Sequence, residues 1–99
     1  MIKKANDNVD RLLIDDLIQI PNVGPATAGD FSRLGITKPQ QLIGKDPIQL
    51  FDDLCALDAN PHDPCVIDVF MSAVSFMDGN EAKKWWEFTE QRKEILRNQ

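Results

Sequence analysis

The chain has 99 residues, of which 42% are hydrophobic, and a formal net charge of −5. This length suits one domain with a modest core. No apolar run approaches the ~20 residues of a membrane-spanning helix, so we expect no membrane contact. The acidic balance argues against a general nucleic-acid coat protein.

The charge is unevenly distributed along the chain. Residues 1–45 carry six Lys and Arg against five Asp, whereas residues 46–99 carry five Lys and Arg against eleven acidic residues. The N-terminal half is therefore the half that tolerates a polyanion. Lys3 and Lys4 are followed by no apolar stretch, so no secretory signal is visible. With only two cysteines, the sequence predicts free thiols and a cytoplasmic location.

The first predicted elements are a flexible arm over residues 1–6 and a single domain over residues 7–99. A helix is predicted from about Asp7 to Gln19, because its apolar residues recur at helical spacing and form one buried stripe. That stripe consists of Val9, Leu12, Leu13, Leu17 and Ile20.

A tight turn and a second helix follow, and together with the first helix they form a predicted hairpin over residues 7–35. Pro25 suits the first position of a helix. Gly35 suits the left-handed position that ends one, so the second helix is predicted to run from Pro25 to about Leu34. Gly24 is expected to permit the turn because it has no side chain.

This turn is the candidate binding site. Backbone N–H groups at a helix N-terminus lack partners within the helix and bind phosphate well. The predicted phosphate-binding residues are Asn22, Val23, Gly24, Pro25, Ala26 and Thr27, with Arg33, Lys38 and Lys45 as supporting charges. The string from Ile20 to Ala28 resembles a helix-hairpin-helix motif. This resemblance implies that hairpin amides hold a DNA phosphate without reading bases.

The remainder of the chain predicts further helices and no strands. Thr37 caps a connector helix over residues 37–44, and Asp46-Pro47 begins a helix to about Leu57. Asp63-Pro64 begins another helix to Met77, which completes a helix pair over residues 47–77. A C-terminal helix is predicted over residues 80–97. The predicted fold is all-α, a tandem helix-hairpin-helix-like bundle of five or six short helices. The second loop, residues 58–63, is acidic and unsuited to phosphate.

A second resemblance covers roughly residues 9–93. The run from His62 to Phe70, together with Trp85-Trp86, closely resembles the pathogenicity-locus family of small bacterial helix-hairpin-helix proteins, some of which are called mitomycin resistance proteins. This resemblance implies a motif-based DNA-binding role and no established catalytic activity. It therefore indicates the fold more clearly than the function.

Cys55, His62 and Cys65 are the candidate metal ligands. Their spacing matches no common zinc module, and a fourth ligand would have to come from Asp58 or Asp63. Cysteine is also often buried as a small apolar residue, and we expect Cys65 to pack against the preceding helix. We therefore expect no metal and no cofactor. No nucleophile with a base and oxyanion donors can be assembled, so we expect no enzyme activity.

Two functions remain open from the sequence. The first is a non-enzymatic module that binds DNA phosphates without sequence specificity, with a possible link to DNA damage or resistance. The second is a protein–protein interaction module on the same fold with little DNA affinity. The intact hairpin favours the first function, and the acidic net charge favours the second.

Overall fold

The computed structural model describes residues 4–99, and the structural statements below concern those residues. They form four α-helices: α1 (Pro25–Arg33), α2 (Pro47–Asp58), α3 (Cys65–Met77) and α4 (Thr89–Arg97). Three 3₁₀ turns, Leu17–Gln19, Pro39–Leu42 and Trp85–Phe88, complete the regular structure. Residues 4–99 contain no strand, which confirms the all-α class. The number of α-helices is four rather than five or six, because the segments predicted as helices over residues 7–19 and 37–44 each contain only one 3₁₀ turn.

Helix α3 is the centre of the fold, as its apolar circumference implies. Phe70 and Ala73 on this helix are fully buried. The ring of Phe70 lies 4.8 Å from that of Phe31 on α1, centroid to centroid. Leu54 of α2 joins the same buried cluster, which also contains Ile20 of the turn before α1. The core therefore holds α1 and its preceding turn directly against the most buried helix. None of the helices in residues 4–99 is long and apolar enough to cross a membrane.

The helix predicted over residues 7–19 is wrong. The Asp10 carboxylate accepts the Leu12 N–H at 3.0 Å, and the Asp16 carboxylate accepts the Ile18 N–H at 3.1 Å. Such local bonds compete with the helical ladder and favour turns, which is why only the 3₁₀ turn Leu17–Gln19 forms. Leu12 and Leu13, expected in a buried stripe, are 66% and 78% exposed.

A flexible arm is predicted over residues 1–6, and the structure describes residues 4–6 of it. Residues 1–3 lie outside the described residues. The Ala5 N–H donates to the Gln19 carbonyl at 2.7 Å, and Ala5 is only 9% exposed. Ala5 therefore packs against the segment before the turn through a backbone bond and burial, whereas Lys4 and Asn6 are exposed.

The continuous helix predicted over residues 80–97 is also wrong. The Ala82 N–H donates to the Asp7 carboxylate at 2.6 Å, and the Lys83 carbonyl accepts the Asn22 side-chain amide at 2.7 Å. A helix would need the Lys83 carbonyl as the acceptor of the Glu87 N–H, so the bond from Asn22 competes with the helical ladder. The chain therefore stays extended before the 3₁₀ turn at Trp85, and α4 begins only at Thr89.

A buried ion pair joins α3 to α4. Asp68 is fully buried, and its carboxylate accepts hydrogen bonds from the Arg92 Nε at 2.9 Å and from the Thr89 hydroxyl at 2.7 Å. The hydrogen bond to the Asp68 carboxylate raises the pKa of Arg92, which keeps the guanidinium protonated. The C-terminal helix is thus held by a specific polar contact as well as by apolar packing.

Candidate nucleic-acid interface

The turn before α1 is rigid and closely packed on its inner side. Ile20 and Val23 are fully buried, and the Val23 N–H donates to the Ile20 carbonyl at 3.1 Å. Asn22 lies between them with a φ of 72°, the left-handed conformation that Asn tolerates better than most side chains. The prediction that Val23 donates its amide to a phosphate is therefore corrected, because that amide is used within the turn.

Gly24 has an ordinary backbone conformation, with φ −98° and ψ −177°. The turn does not need a glycine there, so the prediction that Gly24 permits the turn is wrong; Asn22 has the unusual conformation. A Cβ added at Gly24 would meet nothing within 4 Å. The absence of a side chain at this position leaves space outside the protein, directly over the start of α1.

The start of α1 carries the available donors. Pro25 is its first residue, and no side chain caps the helix at Gly24. The N–H groups of Ala26 and Thr27 lie in the first turn, where the helix has no carbonyl for them. Ala26 is exposed. These amides and the helix dipole favour an anion just outside Gly24.

The ammonium group of Lys4 binds backbone carbonyls in and before the turn. The Lys4 Nζ donates to the Ile18 carbonyl at 2.5 Å, to the Ile20 carbonyl at 3.2 Å and to the Val23 carbonyl. Burial lowers the pKa of Lys4, while the three carbonyls favour the protonated form because it alone supplies three donors. Lys4 therefore ties together three backbone carbonyls between Ile18 and Val23.

The three predicted supporting charges do not gather at the turn. Arg33 lies at the far end of α1, where it pairs with Asp30 at 3.3 Å and with Asp58. The Lys38 Nζ donates to the Asp15 carbonyl at 3.3 Å. Lys45 lines a separate cleft, with Met71, Asp78 and Phe88 among the other lining residues.

Two lysines that sequence reasoning missed do lie beside the turn. Lys83 and Lys84 line a cleft of about 340 Å³ together with Pro21 and Asn22. Their extended backbone brings them beside the turn. The sequence predicts a helix over this segment and therefore does not place these lysines there. The adjacent pair of lysines in an otherwise acidic half was the one signal available.

The candidate metal ligands do not converge. The Cys55 Sγ accepts the His62 N–H at 3.4 Å, and the His62 Nε2 lies 2.6 Å from the Asp58 carboxylate. Cys65 is exposed rather than packed against α2, and both cysteines are free. Within residues 4–99 no group of three His, Cys, Asp or Glu side chains has a geometry that could hold a metal ion. The second loop instead uses Asp58 to pair with His62 and Arg33.

Cys65 is expected to react slowly with alkylating agents although it is exposed. Asp63 accepts a hydrogen bond from the thiol and raises the pKa of Cys65, so little thiolate forms at neutral pH. Asp63→Asn removes that negative charge and should raise the alkylation rate of Cys65 at about pH 7.5, because more of the thiol is then ionised. Rates measured by mass spectrometry in a Cys55→Ser background check this expectation. An unchanged rate in Asp63→Asn would show that Asp63 does not control the thiol.

Residues 4–99 thus define an all-α protein in which an uncapped helix start follows a tight Pro-Asn turn. The turn is preceded by a 3₁₀ segment instead of a long helix, so the helix-hairpin-helix arrangement predicted for residues 7–35 is not confirmed. Residues 10–94 match the family model described as pathogenicity locus, Cdd1. The chain belongs to this family, which confirms the resemblance inferred from its sequence.

The chain is also similar to a protein linked by name to drug resistance. The mitomycin resistance protein McrB of Streptomyces lavendulae is 41% identical over 81 residues, which cover 82% of this chain and 77% of that protein. No solved structure matches the chain significantly.

Proposed function

We propose that the protein is a non-enzymatic module that binds DNA backbone phosphates without sequence specificity. The observation that carries this proposal is the start of α1, where no side chain caps the helix and a Cβ at Gly24 would meet nothing within 4 Å. The amides of Gly24, Ala26 and Thr27 would donate to one phosphate. Because such contacts involve no base edge, they position the protein without reading sequence.

The charges near this site predict weak binding. Lys83 and Lys84 adjoin the turn, while the chain as a whole carries −5. Few lysines can displace counterions, so the dissociation constant should fall in the non-specific range, roughly 10⁻⁴–10⁻⁶ M. For the same reason its dependence on salt should be shallow.

A titration tests the proposal. Fluorescence anisotropy with labelled duplex, single-stranded and branched DNA of two unrelated sequences, at about 50 mM and about 200 mM salt, measures affinity, specificity and salt slope together. We expect binding at the lower salt that differs little between sequences. No binding of any DNA at the lower salt would contradict the proposal.

A second candidate is a protein–protein interaction module, and one observation favours it. Leu12 and Leu13 are 66% and 78% exposed on a loop that Gln40 holds in place by donating to the Leu12 and Ile14 carbonyls. Adjacent exposed leucines on a fixed loop suit a protein partner. This candidate replaces the first if the DNA titration fails while the protein is folded.

We further propose that the protein is linked to DNA damage or drug resistance and that it is located in the cytoplasm. The first rests on the name of the relative, a mitomycin resistance protein. The second rests on two free thiols, which suit a reducing compartment. Comparing mitomycin survival of cells with and without the gene would test the link.

A further inference from the structure

The cleft beside the turn has fixed walls. One wall is the turn residues Pro21 and Asn22, and the other is the extended segment 82–84 with Glu87. The Asn22 side-chain amide donates to the Lys83 carbonyl at 2.7 Å and ties the two walls together across 61 residues of sequence. The volume of about 340 Å³ lies in the range of ligand pockets. The cleft is therefore a preformed concave surface and not a gap between mobile segments.

The cleft is locally basic in an acidic protein. Within residues 4–99 the ammonium groups of Lys83 and Lys84 take part in no ion pair. The one carboxylate in the cleft, Glu87, accepts the Lys84 backbone N–H at 2.7 Å. Lys4 also lines the cleft, so three lysines stand against one carboxylate and the cleft favours an anion.

An exposed aromatic ring follows the cleft lysines in the sequence and lies outside the cleft lining. In the 3₁₀ turn Trp85–Phe88 successive side chains are about 120° apart. Phe88 is buried, whereas Trp86 is 57% exposed and follows Lys84 by two residues. The ring of Trp85 meets that of Trp86 edge to face at 5.6 Å, which restricts the orientation of the Trp86 ring. An oriented, exposed indole face next to two lysines can stack on a base whose phosphate the lysines bind.

We propose that this cleft binds a nucleotide of single-stranded DNA, with its phosphate on Lys83 and Lys84 and its base stacked on Trp86. This inference rests on the proposed function and names its substrate. A paired base is already stacked on its neighbours in a duplex, so only an unpaired base can present its face to the indole. Asn22 and Gly24 are separated by at most about 7 Å of chain, so one strand can reach the amides of α1 and the cleft together.

The preference for single strands is measured with labelled oligothymidylate of about 12 nucleotides and with a duplex of the same length. We expect the single strand to bind roughly tenfold more tightly, which corresponds to one stacked base. Quenching of tryptophan fluorescence should accompany binding of the single strand and not of the duplex, since only an unpaired base stacks on Trp86.

Four variants separate the parts of the site. Trp86→Ala should lose roughly the same tenfold for the single strand and nothing for the duplex, and Trp86→Phe should retain most of the affinity. The double variant Lys83→Glu and Lys84→Glu should lose single-strand binding. Glu87→Gln keeps an acceptor for the Lys84 N–H and should tighten binding, because it removes the opposing charge.

The double variant Lys93→Glu and Arg97→Glu is the matched charge control, because both residues are exposed on α4 and neither lines the cleft. It should change binding far less than the double lysine variant. Thermal unfolding followed by circular dichroism confirms that each variant is folded.

The outcomes distinguish failure of the cleft site from failure of the proposed DNA-binding function. Equal affinity for single strand and duplex, with the Trp86→Ala and double lysine variants binding as wild type does, would overturn the cleft site and leave the amide site intact. No binding of either DNA would overturn both. Single-strand preference that is lost in Trp86→Ala and reduced in the double lysine variant supports the cleft site.

Discussion

Gly24→Val is expected to weaken DNA binding at least roughly tenfold while the protein stays folded. The backbone conformation at Gly24 is open to any residue, and a Cβ meets nothing within 4 Å, so valine should cost only about 1 kcal/mol as a poorer helix cap. The added side chain instead fills the space that a phosphate needs to reach the amides of Ala26 and Thr27. We expect at least a tenfold loss of affinity by anisotropy and nearly unchanged helix content by circular dichroism.

Gly24→Asp gives the sharper form of the same test. An aspartate is a strong helix cap, so its carboxylate should bond the Thr27 N–H and stabilise the protein by roughly a few tenths of a kcal/mol. The same carboxylate should occupy the donors and repel phosphate. Stability and binding are thus expected to change in opposite directions, which unfolding cannot produce.

Gly29→Ala is the control for both variants. Gly29 lies on the exposed side of α1, also with open space around it, so the close helix packing that such a glycine suggests is absent. Alanine there should stabilise the helix by about 1 kcal/mol and leave binding near the wild-type value. If Gly24→Val binds DNA as the wild type does, the amide site is not real and the interaction module becomes the better proposal.

Asp68→Ala is expected to destabilise the protein by about 3–5 kcal/mol. It leaves the guanidinium of Arg92, which is only 9% exposed, without its carboxylate, and it removes the acceptor of the Thr89 hydroxyl. Such a loss is a large share of the ~5–15 kcal/mol that stabilises a typical domain. Urea unfolding followed by circular dichroism measures it.

Two further variants show whether the unpaired buried charge of Arg92 causes the destabilisation expected for Asp68→Ala. The apolar double variant Asp68→Leu and Arg92→Met should recover much of the loss, because it leaves no unpaired charge inside. Arg97→Ala breaks the exposed Arg97–Glu94 pair, whose side chains are 66% and 62% exposed, and should cost under about 1 kcal/mol. A loss in Asp68→Ala no larger than that of Arg97→Ala would contradict this account of the α3–α4 contact.

The helices that the sequence predicted well are those whose starts are determined locally. Pro25 and Pro47 each occupy the first position of an observed α-helix, and the Asp46 carboxylate caps the second of these by accepting the Ile48 N–H at 2.9 Å. The apolar circumference of α3 also predicted its central place. Caps and periodicity depend on residues within a few positions of one another, so they can be read without the rest of the fold.

The segments that were wrongly predicted as helices are those whose backbone groups bond side chains instead of the backbone groups of a helix. Asp10 and Asp16 bond nearby amides in place of a helix, and the Asn22 amide holds the Lys83 carbonyl in an extended segment. Periodicity records which residues are apolar, but it does not record these competing bonds.

The sequence by itself therefore determined the helical class, the family and the position of the turn before α1. Only the tertiary structure decided which charges adjoin that turn. It placed Lys4 beneath the turn carbonyls and brought Lys83 and Lys84 to its side, while it paired Arg33 with Asp58 at the other end of α1. Contacts between residues 16, 25 and 61 positions apart arise from the packing of the whole chain, and no local pattern of residue types specifies them.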